Sequence, residues 1–85
     1  MYSVVKVTLI FYAILEEEIS DKPLIFEINN GSSANDLINS LSEKFPNASE
    51  ILKVTRLAHE DEYVEKKSVL TDGEEYCLIP PVSGG

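Results

Sequence analysis

The first third of the chain alternates between apolar and polar positions. Four apolar residues recur at every second position: Val5, Val7, Leu9 and Phe11. This two-residue period predicts a strand with one face on a core. A second alternation predicts a partner strand through Leu24, Phe26 and Ile28. The acidic segment 14–22 interrupts the pattern and is expected to form the loop of an opening hairpin.

The middle of the chain carries the pattern of an amphipathic helix. Five apolar residues follow helical spacing: Ala34, Leu37, Ile38, Leu41 and Phe45. Ser33 can cap the first turn, and Asp36 three positions later completes a capping-box pattern. Pro46 disfavours continuation, so the helix is expected to run roughly from Ser33 to Lys44.

The rest of the chain predicts short extended elements. A third strand is expected at 54–58, a brief extended piece at 62–64, and a tight turn at Asp72-Gly73. The last strand, 75–79, should turn Tyr76 and Leu78 inward. This order predicts an α+β domain of the ubiquitin-like β-grasp type, with one main helix on a mixed sheet. At 85 residues, the chain suffices for one domain, 1–79, followed by a flexible tail, 80–85.

Charge and cysteine content narrow the classes of partner. The chain has 15 acidic and 7 basic residues, a formal net charge of −8. Such a surface repels nucleic acid and anionic membranes and favours a basic protein partner, unless the charge serves solubility alone. The single cysteine, Cys77, excludes an intramolecular disulfide and fits a reducing compartment. With neither a leader pattern nor a long apolar run, the sequence predicts a cytoplasmic protein.

The segment after the last predicted strand is the most informative. It reads Pro80-Pro81-Val82-Ser83-Gly84-Gly85. The prolines favour a stiff, extended exit, and six extended residues reach at most about 20 Å. The two glycines have no side chains and can therefore pass a narrow channel. The alternative interpretation is an inert, frayed terminus.

Such an arm suits a carrier of an activated carboxylate. A free carboxylate is a poor electrophile, but an acyl-adenylate at Gly85 could be attacked by a sulfur donor to give a thiocarboxylate. Inserting that nucleophilic sulfur into a partner's site would make the transfer effectively unimolecular.

Most of the chain resembles the small subunits of molybdopterin synthase. The resemblance is specific in the segment from Leu78 to Gly85, preceded by 70–75, and it extends to 5–13 and to the helix with Pro46. It implies that a ubiquitin-activating-type enzyme adenylates Gly85, which then becomes a thiocarboxylate; no bound cofactor is implied. It also implies a heterotetramer with a large subunit, into which the tail inserts to deliver sulfur to cyclic pyranopterin monophosphate.

One departure and several alternatives accompany this resemblance. The family often has a short apolar-Asn piece where this chain has His59-Glu60-Asp61, so the geometry of that loop stays open. A terminal diglycine also occurs in ubiquitin and in the thiamine-pathway sulfur carrier. The alternatives are therefore a sulfur carrier for thiamine synthesis or tRNA thiolation, a protein modifier, or a plain interaction domain.

Other candidate residues favour docking over catalysis. Cys77 is expected to be an ordinary half-buried residue, and His59 a loop histidine without partners for a metal. The acidic residues near position 62 match no calcium loop, so no metal site is predicted. The outward apolar residues Tyr12, Tyr63 and Ile79, with Ile10 beside them, predict a partner interface. The alternative is a second small core under the acidic loop.

Overall fold

The computed structural model describes residues 3–81 of the chain. Its strands and α-helices are β1 Val4–Phe11, α1 Ile14–Glu18, β2 Leu24–Asn29, α2 Ala34–Lys44, α3 Ser49–Lys53, β3 Arg56–His59, β4 Glu62–Tyr63 and β5 Glu75–Ile79. A 3-10 turn, Pro46–Ala48, joins α2 to α3. Within the described range, no helix is long and apolar enough to cross a bilayer.

The five strands form one mixed sheet in the order β2-β1-β5-β3-β4. β1 and β2 pair antiparallel, as the predicted hairpin requires. β5 comes last in the sequence but lies in the middle of the sheet, parallel to β1 and antiparallel to β3. This topology confirms the predicted α+β fold with a mixed sheet. Its consequence is that the chain leaves the sheet from the central strand.

The helix α2 begins and ends where the sequence predicts. The Ser33 hydroxyl accepts a hydrogen bond from the Asp36 backbone N–H at 3.1 Å, and the Asp36 carboxylate accepts one from the Ser33 N–H at 2.9 Å. This reciprocal pair satisfies two amides of the first turn. Leu37 and Leu41 are fully buried, while Ile38 packs at the edge of the core. α2 has 11 residues against 5 each in α1 and α3, so it is the main described helix.

The prediction of a loop over the whole segment 14–22 is wrong, because the segment begins with α1. Leu15 is fully buried, and one helical turn is enough to direct its side chain into the core. Glu16 and Glu17 stay exposed in the first turn of α1, where the helix dipole favours negative charge. Leu15 is the fully buried residue of this segment, and Ile19 packs against the edge of the core; the neighbouring carboxylates made the segment look like a loop.

The segment between α2 and β3 contains the short helix α3, which the apolar pattern of the sequence does not predict. Leu52 in α3 is fully buried, which holds this short helix against the core. The Val54 N–H donates to the Ile51 carbonyl at 3.2 Å, and the Thr55 N–H donates to the Leu52 carbonyl at 3.1 Å. Since these amides belong to the helix end, β3 begins at Arg56 and the predicted start at Val54 is two residues early.

The core lies on one face of the sheet, beneath α2. Its largest fully buried side chains are Leu9, Leu15, Leu37, Leu41, Leu52, Leu78 and Val7. Tyr76 and Leu78 point inward as predicted, and the Tyr76 hydroxyl accepts a hydrogen bond from the Thr71 N–H at 2.9 Å. The alternate residues of β5, Cys77 and Ile79, therefore face the opposite side of the sheet.

The predicted turn at Asp72-Gly73 ties the start of β5 to β1. Gly73 has a φ of 83°, a left-handed conformation that glycine adopts without steric cost. Its N–H donates to the Lys6 carbonyl at 2.7 Å, and the Asp72 carboxylate accepts from the Lys6 N–H at 2.7 Å. These bonds position the central strand and hence the end from which the chain leaves it.

Candidate docking groove at the end of the central strand

The chain leaves the sheet at the end of β5, where the predicted tail begins. Leu78 is buried and Ile79 half-buried; Pro80 is buried as well, and Pro81 is exposed. Pro80, which the sequence places in the tail, thus packs against the domain. The other predicted tail residues lie outside the described range: Val82, Ser83, Gly84 and Gly85.

The three residues predicted to form a partner interface lie together. Tyr12, Tyr63 and Ile79 line one groove with Ala58 and Cys77, and its volume is about 340 Å³. These residues come from four neighbouring strands or their ends, since β1, β5, β3 and β4 are consecutive in the sheet. We call this surface, including its acidic edge described below, the docking groove.

The sheet register explains why residues so distant in sequence meet. Ile10 pairs with Cys77, Cys77 with Ala58, and Ala58 with Tyr63. These pairs form a row across four strands on the face opposite the core. Ile10 is half-buried and adjoins the docking groove through Cys77 without being among the residues that line it.

The tyrosines of the docking groove are exposed. The exposed fraction is 45% for Tyr12 and 56% for Tyr63, which is inconsistent with the alternative of a second small core. The Arg56 guanidinium lies 3.9 Å from the centroid of the Tyr63 ring, and this cation–π contact restrains the ring. A tyrosine with an apolar body and a polar tip is common at protein interfaces.

Tyr12 and Cys77 contact each other across the floor of the docking groove. The Tyr12 hydroxyl and the Cys77 sulfur are 3.8 Å apart, and either can be the donor. This contact, with the Glu75 and Glu16 carboxylates adding repulsion, raises the pKa of Tyr12 above its ordinary value. The phenol is therefore neutral at physiological pH. Cys77 is half-buried, as the sequence predicts.

One edge of the docking groove is acidic and unusually shaped. Glu60, Asp61 and Glu62 line this edge. Glu60 has a φ of 49° and Asp61 a φ of 68°, two left-handed residues in succession, as in the type I′ turns of hairpins. The segment at which this chain departs from the molybdopterin synthase pattern, His59-Glu60-Asp61, thus includes both residues of the tight turn between β3 and β4.

The prediction that His59 belongs to a loop is wrong, because it is the last residue of β3. Its ring lies 3.0 Å from the Glu75 carbonyl through Nδ1 and 3.0 Å from a Glu74 carboxylate oxygen through Nε2. The bond to the Glu75 carbonyl raises the pKa of His59, partial burial opposes it, and the Glu60 and Glu74 charges raise it further. Sequence spacing could not indicate these contacts, since Glu74 is distant in the chain.

A comparison with models of protein families shows the family of this chain. The model of the ThiS family matches residues 9–85. The chain belongs to the ThiS family. The matched region includes the docking groove and the diglycine segment, Gly84-Gly85.

Two relatives of this ThiS family member match it over nearly their whole length. A molybdopterin synthase sulfur carrier subunit from Chlamydomonas reinhardtii is 29% identical over 82 residues, which are 94% of this chain and 99% of the relative. A protein of the same name from Mycobacterium tuberculosis is 27% identical over 82 residues, 95% of this chain and 99% of the relative.

Solved structures confirm the fold. A Haloferax volcanii protein solved in solution superimposes with a TM-score of 0.83 at 18% identity, over 96% of this chain and 88% of the other. The ubiquitin of Caldiarchaeum subterraneum superimposes with a TM-score of 0.67 at 15% identity, over 98% of this chain and all of the other. At such identities the likeness shows the fold alone, which is the predicted ubiquitin-like β-grasp.

Proposed function

We propose that this chain is the sulfur-carrier subunit of a molybdopterin synthase. The observation that carries the proposal is the family match through Gly85, joined to end-to-end similarity with two relatives that bear this name. The domain acts as a handle and is not catalytic by itself. A domain of 85 residues buries too little surface to enclose a substrate of its own, which supports this division of labour.

The proposed chemistry takes place at the carboxyl group of Gly85. A ubiquitin-activating-type enzyme transfers AMP from ATP to this carboxylate and releases pyrophosphate. A sulfur donor then attacks the Gly85 carbonyl carbon and displaces AMP. The product at Gly85 is a thiocarboxylate. The thiocarboxylate sulfur attacks cyclic pyranopterin monophosphate, and water then cleaves the bond between that sulfur and the Gly85 carbonyl carbon, which returns the carboxylate. Two such rounds supply the dithiolene sulfurs of molybdopterin. The reducing cytoplasm is the proposed setting, consistent with the lone thiol of Cys77.

The docking groove is the surface proposed to bind the large subunit, in a complex of two small and two large subunits. It lies beside the end of β5, so a partner seated on it would also receive the segment that follows Pro81. The fixed φ angles of Pro80 and Pro81 favour an extended exit from the domain, and Val82 and Ser83 separate these prolines from the diglycine in the sequence. The acidic edge at Glu60 and Asp61 would favour a basic rim on the partner.

The decisive experiment removes Gly85, the residue proposed to carry the sulfur, and leaves the folded domain intact. The chain is reconstituted with its activating enzyme, a large subunit and the pyranopterin precursor, and dithiolene product is measured. Deletion of Gly85 is expected to abolish product, and Gly84→Val to nearly abolish it, because a branched side chain blocks a narrow channel. High-resolution mass of the intact protein separates thiocarboxylate from oxidation of the same nominal mass.

The matched control is Cys77→Ser, which removes the only thiol of the chain and should leave product formation largely intact. Unfolding temperatures of all variants are expected to agree with the parent within error. If the Gly85 deletion still delivers sulfur and Cys77→Ser does not, the thiol is the carrier and the proposal is wrong.

The alternatives within the same fold predict different products. A protein modifier would form conjugates of high mass with target lysines in a cell lysate. A carrier for thiamine synthesis or tRNA thiolation would become thiocarboxylated but would give no dithiolene with a large subunit. A plain interaction domain would keep its function after deletion of the tail.

A further inference from the structure

Three side chains with metal-binding atoms converge at the β3–β4 turn. They are His59 at the end of β3, Glu60 in the turn and Glu74 immediately before β5. One ligand atom from each lies within 4.8 Å of the other two. His59 Nε2 is 3.0 Å from a Glu74 carboxylate oxygen and 3.6 Å from a Glu60 carboxylate oxygen.

The imidazole is held as metal-binding imidazoles usually are. His59 Nδ1 lies 3.0 Å from the Glu75 carbonyl, and because a carbonyl only accepts, Nδ1 must donate the proton. In the neutral ring, Nε2 then carries the lone pair. Metal-bound histidines commonly donate their other N–H to a backbone carbonyl in this way. The ring also packs on Tyr76, with 5.1 Å between ring centroids, which fixes its orientation.

The two distances from His59 Nε2 to the carboxylate oxygens are close to those around a small tetrahedral ion. Zinc bonds to nitrogen and oxygen of 2.0–2.1 Å place neighbouring ligand atoms about 3.3–3.4 Å apart. The separations of 3.0 Å and 3.6 Å at Nε2 lie on either side of this value. The Glu60 and Glu74 side chains are 82% and 40% exposed, so both can rotate slightly to equalise the distances.

The electrostatics of the cluster also favour a cation. Nε2 of His59 and one carboxylate oxygen each from Glu60 and Glu74 converge on one point, and the two carboxylates bring negative charge to it. A cation at their centre satisfies all three. Calcium and magnesium prefer sites made wholly of oxygen, whereas zinc readily combines imidazole with carboxylate. The formal charge of −8 attracts a cation further.

We propose that His59, Glu60 and Glu74 form a binding site for a divalent transition-metal ion, with Zn²⁺ as the ion that fits best. Three protein ligands leave the fourth position to water or to an incoming ligand. The bound ion connects the β3–β4 turn to the start of the central strand. Because Glu60 also lines the docking groove, the ion braces the acidic edge of that groove.

The test uses the only histidine in the chain. The full-length protein, labelled with ¹⁵N, is titrated with Zn²⁺ near neutral pH while the two ring nitrogens are followed by NMR. One equivalent of Zn²⁺ is expected to shift the Nε2 resonance and to leave Nδ1 protonated. The unfolding temperature should rise with Zn²⁺ concentration, because the ion binds the folded state preferentially.

Matched variants separate this site from general attraction to an acidic protein. Glu74→Gln preserves shape and is expected to weaken Zn²⁺ binding about tenfold or more. Glu65→Gln removes one charge from an exposed position outside the cluster and should leave the affinity nearly unchanged. Cys77→Ser should also leave it unchanged. His59→Gln should abolish the one-to-one binding, with its metal-free unfolding temperature reporting that the fold persists.

Three results would overturn the proposal. The first is an Nε2 resonance that stays in place at saturating Zn²⁺. The second is equal affinity in Glu74→Gln and Glu65→Gln, which would reduce the cluster to an ion pair within an acidic surface. The third is a parent protein that binds no Zn²⁺ in the millimolar range.

Discussion

Alternate residues of the central strand β5 face opposite sides of the sheet, with the core on one side and the docking groove on the other. Tyr76 and Leu78 are 3% and 0% exposed and join the core, whereas Cys77 and Ile79 border the docking groove. One strand thus supplies both core side chains and part of the surface proposed to bind a partner. The sequence predicts this division, because the alternation of side chains along a strand is a local property.

At this scale the core makes a direct prediction about stability. Leu41 is fully buried in α2, so Leu41→Ala should lower the free energy of unfolding by about 2–5 kcal/mol through lost burial and a residual cavity. Denaturant unfolding followed by circular dichroism measures the change. Ile25→Ala is the control, since Ile25 is 68% exposed and should change stability by about 0.5 kcal/mol or less. Equal losses for both variants would contradict the described packing.

At the scale of elements, the sequence predicted correctly those features that depend on residues close together in the chain. The capping box of α2 and the left-handed Gly73 both involve groups within a few residues. The same reasoning missed α1 and α3, because a helix of one turn is not stable by itself. Burial of Leu15 and Leu52 holds these two helices, and burial depends on the whole fold.

The β3–β4 turn offers a test of local strain. Asp61 has a φ of 68° at the position where such turns strongly prefer glycine. Asp61→Gly is therefore expected to stabilise the protein by up to about 1 kcal/mol, which raises the unfolding temperature by a few degrees. Differential scanning calorimetry measures the shift. The control, Asp21→Gly, changes the same residue type where no positive φ occurs, and it should not stabilise. Destabilisation by Asp61→Gly would show that the side chain, not the backbone, determines this turn.

At the scale of the whole molecule, the strand order creates the proposed interface. Tyr12 follows β1 and Tyr63 lies in β4, so they are distant in the sequence, yet both line the docking groove. The parallel pairing of β1 with β5 and the β3–β4 hairpin at the edge of the sheet together bring the two tyrosines into one surface. The sequence predicted which residues face outward, while the topology determined that they share a concavity.

The docking groove makes a prediction about binding. Ile79→Asp is expected to weaken binding to the proposed large subunit substantially, because it places a charge in an apolar part of the proposed interface. Ile79 is only half-buried in the free protein, so the fold should tolerate the change. Isothermal titration calorimetry with the purified large subunit measures the affinity.

The control for this variant is Ile25→Asp, on the strand β2 at the opposite edge of the sheet. It introduces the same charge at an exposed position and should leave the affinity near that of the parent. If the two variants bind equally well, the docking groove is not the interface.

By itself, the sequence determined the features that depend on neighbours in the chain. The alternation of β1 and β5, the cap at Ser33, the turn at Gly73 and the α+β order of elements all follow from residue types at short spacings. The specific C-terminal segment also indicated the family, which the match over residues 9–85 confirms.

Only the tertiary structure decided which distant residues meet. Pairing β5 between β1 and β3 sets Cys77 beside Tyr12 and brings Glu74 to His59. The packed core also buries Leu15 and so holds the first part of an acidic segment as a helix. The physical reason is that strand order and register join residues across the chain, and no local pattern encodes the partner at the other end of such a contact.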